Sequence, residues 1–152
     1  MKRHESLIPI SRQHHGGLLT ARLLQHGAPL YKGMPSSPAG KRDYVLAFLK
    51  EHLLPHFQLE EKTVFILASN YSDELKQQAQ SLQAEHRQLE QLVLTLPHVD
   101  ESSLPDKLDE AGKLLERHIR QEERVFFEII QQQLPDEKLK ELQQQVLAHL
   151  GE

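Results

Sequence analysis

Apolar and polar residues alternate along most of the chain with a period of three to four residues, which is typical of amphipathic α-helices. Clusters of glycine, proline and serine divide the chain into segments. Nearly every segment between these clusters is rich in Leu, Glu, Gln, Lys and Arg, which favour helices. No stretch shows the two-residue alternation of a half-buried strand. The pattern therefore predicts an all-α fold.

The first half of the chain predicts two long helices. Helix A is expected from a cap at Ser11 to about Gly27, where the glycine favours a helix end. A long Gly/Pro/Ser-rich connection follows, and helix B is expected from about Asp43 to Ala68. Pro55 lies inside helix B and cannot donate a helical hydrogen bond, so we expect a kink there.

The second half of the chain predicts two further long helices. Helix C opens near Ser72 or Asp73 and stops before Pro97. A loop to about residue 104 leads into helix D, which carries Pro105 in its first turn and ends before Pro135. The four helices predict an up-down-up-down four-helix bundle over about residues 9–134.

A shorter additional C-terminal helix is expected over about residues 136–150. Its apolar residues fall on one stripe, which comprises Leu139, Leu142, Val146 and Leu150. The whole chain, residues 1–152, is long enough to form one domain with its own core.

Composition narrows the chemistry and the partners. The chain contains no cysteine, which excludes thiolate metal sites, iron–sulfur clusters and cysteine nucleophiles. The net charge of -4 argues against nucleic acid as a partner, because a nucleic-acid-binding domain needs an excess of Lys and Arg. The charged start, Met1 to Glu5, has no apolar run behind it and does not resemble a signal peptide. We therefore expect a cytoplasmic protein without a membrane partner.

The most informative motif is an internal repeat that joins helix B to helix D. The segment His56–Phe65 matches His118–Phe127 position by position as His, apolar, two variable, Glu, Glu, basic, variable, apolar, Phe. A single His-x-x-x-Glu match is weak evidence, but two matches inside one ten-residue frame are not expected by chance. Residues i and i+4 share one helical face, so His56 with Glu60, and His118 with Glu122, direct a nitrogen and a carboxylate to the same region.

Both pairs lie on faces that also carry apolar residues, so we predict that they point into the bundle. The accompanying apolar residues are Leu49, Leu53, Leu59 and Val64 on helix B and Leu114, Leu115, Val125 and Ile129 on helix D. Burying an unpaired carboxylate or imidazole in an apolar core lowers the stability of the fold by on the order of several kcal/mol, because the group loses its hydration. A bound metal ion would remove this cost. The alternative interpretation is that both pairs are exposed i,i+4 pairs on the helix surface.

Helices A and C are expected to supply the remaining ligands. On helix C, His86 shares its face with apolar residues; the alternative is a hydrogen-bonded core histidine. Helix A offers His14 or His15. At 100° per residue, four apolar residues share the direction of His14, namely Leu7, Ile10, Leu18 and Ala21. We therefore prefer His14, while His15 remains the alternative.

Two ions fit this ligand set better than one. Four histidines and two carboxylates are too many for a single ion, whereas two bridging glutamates and two histidines per ion suit a pair. Such a set suits iron, manganese or zinc. Glu61 and Glu123 follow the ligand carboxylates by one residue and are expected to support the ligands, not to coordinate. The predicted ligands are His14, His56, Glu60, His86, His118 and Glu122.

These residues resemble the hemerythrin-like, or HHE cation-binding, family over roughly residues 9–134. The resemblance places the family's ligands on the six residues named above, with His15 as the alternative to His14. It implies a non-haem centre of two iron ions, with manganese or zinc as substitutes, and a protein that binds or responds to oxygen, nitric oxide or iron. Oxygen-carrying members have a second histidine one turn further along the third helix, where this chain has Glu90. This departure argues against simple reversible oxygen carriage.

Two other functions remain open at this point. One is a di-iron oxidase or peroxidase, although ferritin-like enzymes of that kind use Glu-x-x-His and a carboxylate-rich shell. The other is an interaction module stabilised by its metal, with the C-terminal helix as a contact surface. We favour a protein that binds a small gas or redox molecule over an enzyme. A sensor of this size would pass on its signal as a homodimer or through a protein partner.

Overall fold

The computed structural model describes residues 2–152, and these residues form helices and connecting loops without any strand. The predicted all-α fold is confirmed. The α-helices are α1 (Ile8–Leu24), α2 (Pro38–Phe48), α3 (Leu54–Lys62), α4 (Val64–Tyr71), α5 (Asp73–Thr95), α6 (Leu104–Gln121), α7 (Phe127–Gln133) and α8 (Asp136–His149).

The first seven helices form the four rods of an up-down-up-down bundle. Helix A is α1, helix B runs through α2, α3 and α4, helix C is α5, and helix D runs through α6 and α7. Helix A packs most extensively against α6, and α4 packs against α5. At the close approach of helices A and D, a Cβ at Gly112 would lie 2.5 Å from the carbonyl oxygen of Ala21, so only glycine fits there.

Helix A begins earlier than predicted. Its first residue is Ile8, and Ser11 lies inside it and bonds to Glu123 instead of capping the helix. The earlier start is favoured because Leu7 and Ile10 are fully buried there. Pro9 is compatible with it, since proline is tolerated in the first turn of a helix. The helix ends at Leu24, and Gly27 adopts a φ of 75° in the following turn.

Helix B is longer at both ends than predicted. It begins at Pro38, because the Ser37 side chain caps it by accepting a hydrogen bond from the Gly40 N–H at 3.0 Å. It continues past Ala68 to Tyr71. The predicted cap of helix C is confirmed, since Ser72 accepts from the Leu75 N–H at 3.2 Å.

Helices B and D each contain one π-helical turn. In helix B this turn, Leu49–Leu53, lies directly before Pro55, so Pro55 falls in the first turn of α3. The expected irregularity at Pro55 is therefore a π-turn. In helix D the π-turn, Glu122–Phe126, was not predicted. It rotates the following residues, so that Phe126 is fully buried and Val125 is only half-buried.

The apolar core consists of two clusters at opposite ends of the bundle. One cluster includes Ile10, Phe65 and Phe127, and the other includes Leu24, Leu49 and Leu108. Along every rod, the buried histidines and glutamates lie where the segment of one cluster gives way to the segment of the other. The bundle therefore carries a polar layer between two apolar ones.

The additional C-terminal helix, α8, is confirmed to within one residue of its predicted end. Leu139, Leu142 and Val146 are buried in the core cluster that contains Phe65. Leu150 was expected on the same stripe, but it is 37% exposed because the helix ends at His149. The apolar stripe of α8 is therefore used inside the chain and is not free for a partner.

Candidate metal centre

The six side chains predicted as ligands come together in the polar layer. Glu60, His86 and Glu122 are fully buried, and the other three are at most 7% exposed. Each helix of the bundle contributes at least one of them. His15, the alternative to His14, is exposed on the outside of helix A.

The six residues form two groups that share both glutamates. One group is His14, His56, Glu60 and Glu122, and the other is Glu60, His86, His118 and Glu122. Within each group the potential ligand atoms all lie within 4.8 Å of one another. The first group takes its histidines from helices A and B, and the second takes them from helices C and D. The geometry thus offers two neighbouring positions to a cation, each with two imidazoles and two shared carboxylates.

The inward atoms of this cluster lack hydrogen-bond partners. Nε2 of His56 and Nε2 of His86 each lie 3.2 Å from Oε1 of Glu60. Nε2 of His14 lies 3.2 Å from Oε1 of Glu122, and Nε2 of His118 lies 3.3 Å from Oε2. Both carboxylates and the Nε2 atoms of His14, His86 and His118 are nonetheless buried without a hydrogen bond. Buried polar groups normally have a partner, so this concentration of unpaired atoms fits a site for a cation.

The outward nitrogen of each histidine, in contrast, is hydrogen-bonded. Nδ1 of His14 bonds Glu123 at 2.7 Å, and Nδ1 of His86 bonds Glu61 at 2.7 Å. A carboxylate only accepts hydrogen bonds, so each Nδ1 carries the proton and each Nε2 presents its lone pair to the centre. This is the tautomer that a metal ligand requires, held by a partner on the far side of the ring.

The two remaining histidines are anchored by residues that the sequence analysis missed. Nδ1 of His56 donates to Gln13 at 2.7 Å, and Nδ1 of His118 donates to Glu85 at 2.8 Å. Each acceptor lies one residue before a histidine of the cluster, in the dipeptides Gln13-His14 and Glu85-His86. The spacing is the same on helices A and C, but two residues with one identity are too few to mark a repeat in the sequence.

The carboxylates of the centre are held in their charged form by the imidazoles. Burial raises the pKa of Glu60, but His56 and His86 outweigh burial and bring its pKa well below the usual range. Burial also raises the pKa of Glu61 and of Glu123, and hydrogen bonds from His86 and His14 again leave the net pKa lowered. These groups therefore remain anionic at neutral pH, which favours a cation between them.

The two histidines of helices C and D differ in proton affinity in the metal-free protein. Burial lowers the pKa of His86, but Glu60 and Glu61 outweigh burial and raise it. Burial lowers the pKa of His118, and Glu85 offsets this only in part, so the net pKa is lowered. A proton therefore competes for His86 more strongly than for His118.

Aromatic rings restrict the orientation of the histidines further. The Phe57 ring stacks on His86 at 3.8 Å between centroids, and the Phe65 ring lies 5.3 Å from the same imidazole. The Phe127 ring stacks on His14 at 6.0 Å. These contacts leave the imidazoles little freedom to rotate.

Glu90 and the five remaining histidines lie outside the centre. Glu90 forms an ion pair with Arg87 at 3.6 Å on the outer side of helix C. These histidines have no partner motif in the sequence, which predicts surface positions; four are exposed, namely His26, His52, His98 and His149. His4 is partly exposed, and its ring Nδ1 bonds Ser6 at 2.8 Å.

A cavity of about 610 Å³ leads to the cluster between helices A and B. Its inner end is formed by His14, His56 and His118, and apolar side chains such as Phe57 and Ile119 form its walls. The end of α8 reaches its mouth through His149 and Leu150. A small molecule can therefore reach His14, His56 and His118 from outside, whereas fully buried His86 is not part of the cavity wall.

The fold and the centre together define a helical bundle with a buried histidine–carboxylate cluster in its core. The model of the hemerythrin HHE cation binding domain matches residues 8–130, which is most of the chain. The chain belongs to this family, so it binds a metal cation. No curated protein and no solved structure matches it. Among residues 2–152, no helix has the length and apolar character needed to cross a membrane.

Proposed function

We propose that the chain is a single hemerythrin-like domain that holds two iron ions at His14, His56, Glu60, His86, His118 and Glu122. The observation that carries this proposal is the division of the six residues into two groups that share both carboxylates. Two shared carboxylates suit a pair of adjacent divalent ions, whose mutual repulsion they offset. Imidazole and carboxylate ligands also accept manganese or zinc, which we regard as substitutes.

We further propose that the centre binds or responds to a small neutral molecule, with oxygen and nitric oxide as the principal candidates. Ferrous ions would supply reducing electrons and coordination positions to such a ligand. The chain's own residues decide which molecules reach the centre. The cavity extends to His14 and His56, and the apolar side chains of Phe57 and Ile119 line its walls. An apolar passage favours uncharged molecules over hydrated ions.

Binding is favoured over oxidase or peroxidase turnover by the composition of the cluster. Four of the six inward side chains are imidazoles, whereas ferritin-like oxidases carry a carboxylate-rich shell. The outer residues hold each imidazole in one tautomer, which suits a stable centre. A cytoplasmic location remains part of this proposal.

The test is an optical titration of the iron-loaded protein with nitric oxide under anaerobic conditions. A saturable spectral change is expected, and it should be absent from protein loaded with zinc, which has no redox chemistry at this site. An iron-loaded protein whose spectrum is unaffected by both nitric oxide and oxygen would contradict the proposal.

A further inference from the structure

Gly16 lies in the middle of helix A, where glycine disfavours the helix relative to alanine. Its neighbour Gly17 has a packing reason, because a Cβ there would lie 2.7 Å from Cδ1 of Ile119. Gly16 has no such reason. A Cβ at Gly16 would meet only the Phe48 ring, at 3.6 Å, which is an ordinary contact. A side chain larger than alanine at position 16 would enter the cavity, because both Gly16 and Phe48 line it.

The cavity is larger than a diatomic ligand requires. Its volume is about 610 Å³, whereas a water molecule takes up about 30 Å³ in the liquid. Sites for small organic molecules commonly enclose about 300–1,000 Å³. The cavity therefore has the size of an organic-ligand site, and no long side chain at position 16 fills it.

The chemistry of the wall changes from mouth to centre. Polar Glu51, His52 and His149 lie at the exposed mouth, and apolar Leu53 and Ile119 line the interior. The inner end presents the imidazoles of the cluster. An apolar wall disfavours a charged body, while the cluster at the inner end favours an oxygen-bearing group.

We infer that this cavity binds a neutral organic molecule with an apolar body and one oxygen-bearing end, such as a phenol, alcohol or hydroperoxide. The orientation of that end toward the cluster rests on the proposed metal centre. Binding of the apolar body in the cavity does not depend on the metal centre, because the walls that hold this body belong to helices A, B and D.

A fluorescence titration with 1-naphthol tests the inference on the full-length chain. The chain contains no tryptophan, so the probe's emission can be read without that background. Saturable binding of one probe per chain is expected. The substitution Gly16→Leu should weaken it at least tenfold, because the new side chain enters the cavity. Gly16→Ala should weaken it far less, and Leu19→Ala, at an exposed position outside the cavity on the same helix, should leave it unchanged.

A second measurement does not depend on any variant. Nuclear Overhauser contacts are expected between naphthol protons and the ring protons of Phe48 and Phe57, which lie on the cavity wall. Absent or non-saturable binding, equal affinity in Gly16→Leu, or contacts only with residues outside the cavity would each overturn the inference. Metal content is measured on the same samples. A protein that binds iron but not naphthol would contradict only this inference. A protein that binds naphthol but no iron would contradict only the proposed metal centre.

Discussion

Glu61 accepts a hydrogen bond of 2.7 Å from Nδ1 of His86, and Glu123 accepts one of the same length from Nδ1 of His14. The second glutamate of each Glu-Glu pair thus orients a histidine from a neighbouring helix. Helix B orients the histidine of helix C, and helix D orients that of helix A. These bonds connect helix B to helix C and helix D to helix A, which gives the second glutamate of each pair a role of its own.

Loss of either orienting glutamate should weaken metal binding. Glu61→Ala or Glu123→Ala is expected to lower the affinity about 10- to 100-fold, because the imidazole loses the acceptor that fixes its tautomer. Glu61→Gln should cost less, since the amide oxygen can still accept from Nδ1. Glu90→Gln is the matched control. Competition with a chelator of known affinity measures the effect, and equal losses in Glu61→Ala and Glu90→Gln would contradict it.

The two adjacent histidines of helix A should behave differently. His14 is 4% exposed and directs Nε2 toward Glu122, whereas His15 lies on the outer surface. His14→Ala should therefore lose metal far more than His15→Ala, by about tenfold or more. Metal content after dialysis compares the two variants. A greater loss in His15→Ala would show that helix A is rotated by one residue.

Two glycines of the bundle should respond to alanine in opposite directions. Gly112→Ala places a Cβ against backbone at 2.5 Å and should destabilise the fold by roughly 1–3 kcal/mol. Gly16→Ala meets no such obstacle and should stabilise it by up to about 1 kcal/mol. Denaturant unfolding of the metal-free variants gives both values. A stabilising Gly112→Ala would contradict the close approach of helices A and D.

The stability conferred by metal should disappear on acidification before the fold itself fails. Metal at about a thousand times its Kd adds roughly 4 kcal/mol. Protons compete for imidazole, so this increment should fade as the pH falls through about 6.5 and below. Glu61, Glu85 and Glu123 have lowered pKa values in the folded state. These glutamates therefore add folding stability at a pH above their unfolded-state pKa of about 4.3. That stability is lost as the pH falls through their lower pKa values in the folded state.

His86 and His118 affect the stability of the metal-free protein with opposite signs and on opposite sides of the ordinary histidine pKa of about 6.5. The raised pKa of His86 adds stability below its unfolded pKa, and that stability is lost as pH rises through the folded value. The lowered pKa of His118 removes stability as the pH falls below about 6.5, because the unfolded chain takes up the proton first. Because protons displace metal from imidazole, the melting temperatures of loaded and chelator-stripped protein should converge as the pH falls to about 5. Equal melting temperatures already at pH 7.5 would contradict a metal site in the core.

The bundle could be predicted from the sequence because the position of each helix is largely determined by nearby residues, through helical periodicity and helix-breaking residues. Ser72 and Pro135 mark helix ends through bonds and sterics within a few residues, and the ends they indicate were right. The early start at Ile8 was missed, because it depends on burial of Leu7 against distant parts of the chain. The π-turn at Glu122 was missed for the same reason. Nothing in its local sequence departs from an ordinary helix, and the turn serves to bury Phe126.

The inward faces of the centre were predictable because His56 with Glu60, and His118 with Glu122, repeat at helical spacing. The outer acceptors were only partly predictable. Glu61 and Glu123 belong to the repeat and were expected to support the ligands, as their bonds to His86 and His14 now show. Gln13 bonds a histidine 43 positions away, and periodicity within one helix cannot reveal such a contact.

Iron stoichiometry tests the two-ion centre most directly. Tag-free protein is loaded with ferrous iron without oxygen, freed of loosely bound metal, and analysed for iron and protein. Because both carboxylates are shared by the two groups of ligands, two iron ions per chain are expected, and Glu60→Ala should lower the content of both positions together. One ion per chain or none at saturating iron would contradict the two-ion centre.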